Sequence, residues 1–196
     1  MADTGWIIAQ SAVNDTGKGT VIWADTSNVT ADDGSNSIAG LSTNESNWLR
    51  SSHDFENMLP IDSVITGVEV RVQIDGDASS TERVIEVQLH NGTVFIGTAK
   101  TPNTTIPDDP TNLDFGGSED LWDAVLNLIH IGFCAGTPVH FGVRADSDGS
   151  SITISVDATW MKLHYLPKDD HPGGGPGDIV GHANVVPPPG SHGDFG

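Results

Sequence analysis

The chain predicts an all-β fold: an antiparallel, jelly-roll-like β-sandwich with one short helix, followed by an extended Pro/Gly-rich C-terminal arm. Three observations point to it. Val68, Val70, Val72 and Ile74 alternate with Glu69, Arg71, Gln73 and Asp75, the two-residue period of a strand with one wet and one buried face. Helix formers are scarce, whereas Gly, Ser, Thr, Asn, Asp and Val are abundant, which favours short strands joined by turns. The final 29 residues hold five prolines and eight glycines, so missing N–H donors and backbone entropy exclude both helix and central strand there. The expected organisation is therefore a sandwich over residues 1–167 and an arm over 168–196.

Along the chain, weaker strands are expected at Gly5 to Gln10, Thr20 to Ala24, Ser37 to Leu41 and Asn47 to Leu49. The strongest spans Val64 to Asp75. Ile85 to His90 repeats the alternation, and Asn91-Gly92 then supplies the dipeptide that best tolerates positive φ in a tight hairpin, with Val94 to Thr98 returning. The single helix is expected over Ser118 to Ile129, where Leu121, Trp122, Val125, Leu128 and Ile129 fall on one face and Glu119 and Asp120 suit the positive end of the dipole. Val139 to Asp146 alternates again, and Asp146-Ser147-Asp148-Gly149 turns into a long last strand. In that strand Ile152, Ile154, Val156 and Ala158 share one parity, while Met161, Leu163 and Tyr165 share the other. A bulge near Trp160 or burial of both faces would account for the switch. The absence of β-α-β alternation argues against a parallel sheet.

Composition narrows function. The 196 residues carry 8 Lys and Arg against 27 Asp and Glu, a formal charge of −19, so the surface field repels phosphate backbones and anionic membranes. Neither nucleic acid nor a membrane is expected as a partner; cations and basic surfaces are. Cys134 is the only cysteine and sits between apolar neighbours, which excludes an intrachain disulfide and reads as a core position. Residues 1–13 lack a basic leader and a long apolar run, so synthesis in the cytosol without export by the usual route is expected.

Catalytic signatures are missing. There is no G-x-S-x-G elbow or H-E-x-x-H motif, and the eight histidines are scattered singly; His90, His140 and His164 fall on outward strand positions. No cofactor is implied, with one candidate exception. Asp75/Asp77 and Asp146/Asp148 place carboxylates two residues apart in turns, a partial likeness to the opening of a calcium loop that lacks its closing Glu; ordinary turn chemistry explains them too. Trp23, Trp48, Trp122 and Trp160 lie in patterned segments and read as core, although Trp48 or Trp160, if exposed, would serve as a sugar platform. Trp6 near the terminus reads as an interface anchor.

Several segments together resemble the jelly-roll domains of structural proteins in tailed bacteriophages. These are Trp23-Ala24-Asp25, Asp32-Asp33-Gly34, Leu59-Pro60, Ile65-Thr66-Gly67-Val68-Glu69-Val70-Arg71-Val72, Gly116-Gly117 with Leu121-Trp122, Phe141-Gly142-Val143, and Val156-Asp157-Ala158 leading to Leu163-His164-Tyr165. The likeness covers roughly residues 20–166, and its motifs fix a fold rather than a reaction. It implies a non-enzymatic virion protein made in the host cytoplasm. The first form is a capsid decoration (cement) subunit attached to the major capsid protein as a small homo-oligomer such as a trimer. Its contacts would come from the arm (Ile179, Val180, Val185, Val186, Phe195) and from the N-terminal Trp6, Ile7 and Ile8. The alternative is a tail-fibre or spike module that binds a host receptor or glycan.

Overall fold

The computed structural model describes residues 1–60, 63–77, 82–124, 138–147 and 151–167. In chain order these form β1 (Ala2–Asp3), β2 (Ile7–Ile8), β3 (Ser11–Asp15), a 3-10 turn (Thr26–Val29), β4 (Ser37–Leu41), β5 (Trp48–His53), β6 (Val64–Gly76), β7 (Glu82–His90), β8 (Phe95–Lys100), β9 (Thr104–Thr105), β10 (Thr111–Gly116), β11 (Val139–Ser147) and β12 (Ile152–Leu166). They make two antiparallel sheets packed as a jelly-roll-like sandwich. In the first, β12 is central; β6 and then β10 extend one side, while β4 and the short β1 and β2 pair with the two halves of its other side. The second runs β3-β5-β11-β7-β8, with β9 beside the start of β7.

The alternation in β6 is realised as expected. Val68, Val70, Val72 and Ile74 point inward and meet Val84, Val87, Leu89, Phe141 and Val143 of the other sheet in one buried core. Burying such rows contributes roughly 25 cal/mol per Å² of apolar area removed from water. The parity switch in β12 comes from a bulge at Asp157. Val156 pairs with Ile74 and Ala158 with Gln73, so one residue is skipped and Met161 and Leu163 turn inward after it. Both explanations for the switch contribute, because Ala158, bridged to Thr30, now faces outward yet is fully buried.

Three expectations are corrected. Residues 118–124 form turns rather than the start of a helix, because Trp122 and Asp123 have φ of 57° and 52°, the left-handed region that a helix does not use; residues 125–129 lie outside the described set. Thr20 to Ala24 contributes isolated bridges, Val21 to Ser46 and Ala24 to Ile38, instead of a strand. The hairpin after β7 is closed by the Asn91 side chain, whose Oδ1 accepts from Thr93 N (3.0 Å) and Val94 N (2.9 Å), so the returning strand starts at Phe95.

Candidate functional site

β8 and β10 are outer strands of opposite sheets on the same side of the sandwich. The chain fills the step between them with residues 117–124. Trp122 forms the plug: its indole N–H donates to Val68 O (2.9 Å), its own carbonyl accepts from Thr98 N (2.6 Å), and its side chain is buried. Close approach requires glycine on both flanks. A Cβ on Gly97 (φ +66°) would sit 2.2 Å from Trp122 O, and one on Gly116 (φ +87°) would sit 2.2 Å from Val68 O and 2.8 Å from Trp122 Nε1.

Beside this plug lies an open groove of about 500 Å³, walled by residues 99–102 at the end of β8, residues 114–116 at the end of β10, and Asp120. Its charged groups are held in pairs. Lys100 Nζ contacts Asp120 Oδ2 at 2.6 Å and stands 5.2 Å from the Trp122 ring centre. Arg71 grips Asp114 with two parallel bonds, Nε to Oδ1 at 2.7 Å and Nη2 to Oδ2 at 2.8 Å. Partial burial alone would raise the pKa of Asp120. The hydrogen bond from Lys100, the N–H of Trp122 and the charge of Lys100 outweigh that and hold it below its ordinary value. The groove thus offers an ammonium, two carboxylates, the Thr101 hydroxyl, and an apolar wall from Ala99, Pro102 and Phe115.

A hydroxyl–imidazole contact does exist elsewhere. Ser51 Oγ lies 3.0 Å from His53 Nε2, and His53 Nδ1 lies 3.0 Å from the Ile7 carbonyl. The carbonyl can only accept, so Nδ1 carries the proton and Nε2 accepts from Ser51. Both residues are fully buried on the inner face, where the imidazole stacks on Phe141 at 5.3 Å. Burial pushes the His53 pKa down to about 3, opposed by the Ile7 bond. No substrate reaches this pair, and its role is to satisfy polar groups inside the core.

The residues singled out in the sequence fall in several places. Trp6 lies on the outer face of the first sheet with the Arg71 guanidinium 4.2 Å and the Lys162 ammonium 4.3 Å from its ring centre. Ile7 and Ile8 pair with Met161 and Trp160, so the N-terminal segment is held on the chain's own β12. Trp48 is buried, covered by Phe95 (ring centres 4.3 Å apart) with Lys18 and Arg144 nearby, and offers no sugar platform; Trp160 is half-buried. His140 and His164 face outward but half-buried, while His90 is buried beneath Phe95 and His140.

Of the candidate calcium ligands, Asp77 accepts the N–H of Thr153 (2.9 Å) and Asp146 faces Arg83 across the ladder. Asp75 lies near Asp157, and its pKa is raised, first by burial and then by that neighbouring charge. Among the described residues no group of three or more His, Cys, Asp or Glu is placed to hold a metal ion. Asp148, Ile179, Val180, Val185, Val186 and Phe195, and Cys134 with them, lie outside the described residues.

Lys100, Asp114 and Asp120 were not singled out in the sequence as site residues. They come from three separate segments, and the only local signal is the paired Gly116-Gly117, which marks a close approach without naming what approaches.

No protein-family profile matches the chain, and no curated protein matches it significantly. Solved structures similar in shape include the module TmCBM61 in complex with β-1,4-galactotriose (9% identity, 80% of this chain and 87% of that one, TM-score 0.37). Another is the CBM22-1 xylan-binding domain of Paenibacillus barcinonensis Xyn10C (12% identity, 85% and 97%, TM-score 0.39). A third is the C-terminal CBM6 of LamC from Zobellia galactanivorans (10% identity, 81% and 97%, TM-score 0.35). At these identities and scores the likeness is one of β-sandwich shape and says nothing of a ligand.

Proposed function

We propose that this chain is a non-catalytic attachment module that holds a host glycan, free or on a receptor, as a tail-fibre or spike domain would. The observation that carries this reading is the groove beside Trp122, where Lys100, Asp120, Asp114 and Thr101 converge over an apolar wall. Fixed donors and acceptors next to apolar carbon are what a polyol requires. The test is binding of the full chain to isolated host surface polysaccharide in a pull-down. Retention on the polysaccharide is expected; passage through unretained on every host preparation overturns the reading.

A capsid-decoration role is the second reading, favoured by charge. Lys18, Arg50, Arg71, Lys100, Arg144 and Lys162 each pair with a carboxylate of the same chain, so the outward field of a chain at −19 stays acidic and suits a basic capsid surface. In that setting residues 168–196 and homo-oligomer contacts provide the grip. Stripped particles rebinding the full chain, and failing to rebind a 1–167 truncation, is the outcome that setting requires.

A further inference from the structure

We infer that the groove selects an uncharged oligosaccharide, with the Lys100–Asp120 pair acting as a fixed donor–acceptor unit for sugar hydroxyls and Asp114, held by Arg71 outside the groove lining, as a fixed acceptor. This deepens the glycan reading above and rests on it.

The charges at the groove cancel in pairs. Lys100 is matched by Asp120, and Asp114 by Arg71, so no spare positive charge awaits a carboxylate or sulfate. An anionic sugar would have to displace a carboxylate from its cation, and would do so inside the field of a chain at −19. A cationic amino sugar would find both carboxylates already paired.

Hydroxyls need no displacement. Each carboxylate keeps lone pairs beyond those its cation uses, and the Lys100 ammonium keeps N–H donors beyond the one aimed at Asp120, so a hydroxyl can donate to Asp120 or Asp114 and accept from Lys100. The pairs also hold their side chains still, which lowers the ordering cost of binding. Phe115 is buried except for 8% of its surface, so the C–H face of a ring meets a wall of Pro102 and Ala99 with the rim of Phe115, rather than a broad aromatic platform. Recognition is thus led by hydrogen bonds, and modest affinity follows.

The experiment is calorimetric titration of the full chain with neutral probes (cellohexaose, xylohexaose, mannohexaose and a galactan oligosaccharide), anionic probes (oligogalacturonate and heparin oligosaccharide) and a cationic probe (chitosan oligosaccharide). It is repeated on Asp114→Asn, Asp120→Asn and the distant control Val94→Ser, with melting curves to confirm folding. Asp114→Asn carries the test if Asp120→Asn, which loses its bond with Lys100, fails to fold. The expected result is binding of at least one neutral probe, weakened tenfold or more by the groove variants and unchanged in the control. Tightest binding of an anionic or cationic probe through the groove would overturn neutral selection while leaving the attachment reading standing. Neutral binding that ignores the groove variants would place the site elsewhere and overturn the inference alone. No binding of any probe would remove both.

Discussion

The carboxylate of Asp157, on the bulge of β12, accepts the backbone N–H of Gly34 at 3.1 Å to each of its oxygens, and the N–H of Asp33 at 3.4 Å. This ties the Asp32–Gly34 turn to the outer face of the first sheet. Gln73, with its amide nitrogen turned toward them, also donates to Asp157 Oδ2 (2.9 Å) and Asp32 Oδ1 (3.1 Å), bridging two carboxylates. Burial raises the Asp157 pKa; the Gly34 and Asp33 N–H groups oppose that rise, and the Asp32 carboxyl adds to it.

Removing the clip should free the turn without unfolding the sandwich. Asp157→Ala is expected to cost about 0.5 to 1.5 kcal/mol, the net worth of a hydrogen bond to the exposed Gly34 and Asp33 N–H groups, which water can solvate when the carboxylate is gone. Asp157→Asn keeps one acceptor oxygen, relieves repulsion from Asp32 and Asp75, and should cost less. Denaturant melts rank the two, and faster amide exchange at Gly34 in the alanine variant locates the effect; equal melts for wild type and Ala would refute the clip.

Stability should fall as the solution is acidified below neutrality. Burial pushes His53 to about 3, and burial with the nearby Arg50 charge pushes His90 to about 4, while an unfolded histidine titrates near 6.5. Between those values the unfolded chain binds protons that the folded chain refuses. The contribution is therefore complete above about pH 6.5 and is lost as pH falls through the window toward 4 and then 3. Asp75 and Asp157 act oppositely: their raised folded pKa values favour the fold below their unfolded range near 3.8, and this contribution fades as pH rises through the folded values. The histidine effect begins at the unfolded-histidine pKa, so the melting temperature should drop as pH falls below about 6.5. His53→Phe should flatten that slope even if it lowers stability at pH 7; an unchanged slope would assign the pH dependence to other groups.

Glu82 opens β7 on the inner face, fully buried, and neither carboxylate oxygen has a hydrogen-bond partner among the described residues. Gly76 leaves the room it occupies: a Cβ there would lie 3.3 Å from the Glu82 carboxyl carbon. An unpaired carboxylate in an apolar interior is costly, and a hydrophobic residue of similar volume removes that cost. Glu82→Met should raise the urea midpoint by the equivalent of about 1 to 3 kcal/mol with the slope unchanged. A lower midpoint would show that the carboxylate stabilises the fold.

The sandwich was legible because β6 and β7 alternate buried with half-buried positions and β11 keeps its apolar residues on one parity, so the two-residue period survives in the sequence. β10 was not, since Thr-Asn-Leu-Asp-Phe-Gly carries only two apolar residues, and as an outer strand it buries little more than Phe115. The helix expected at Ser118 failed for a non-local reason. Leu121, Trp122 and Val125 have helical spacing, but Trp122 finds its hydrogen-bond partner at Val68, 54 positions away, and the backbone turns left-handed to reach it. The groove was invisible for the same reason: Lys100, Asp114 and Asp120 meet only because the outer strands of two sheets end side by side.

The same contact sets the sharpest backbone test. Gly116 has φ of +87°, and a methyl group there would lie 2.2 Å from the Val68 carbonyl and 2.8 Å from the Trp122 indole nitrogen, the two atoms whose hydrogen bond anchors the plug. Neither can retreat without breaking that bond, so strain and a lost buried hydrogen bond add. Gly116→Ala should therefore destabilise by about 2 to 4 kcal/mol. Gly40 in β4 is the matched control: a methyl group there would meet nothing within 4 Å, and its φ is not left-handed. Gly40→Ala should be neutral or stabilise by about 0.5 to 1 kcal/mol through lower unfolded-state entropy. Melting both variants beside wild type measures the difference directly. Similar midpoints for the two would mean that residues 117–124 do not plug the sandwich edge, and the groove built on that plug would lose its wall.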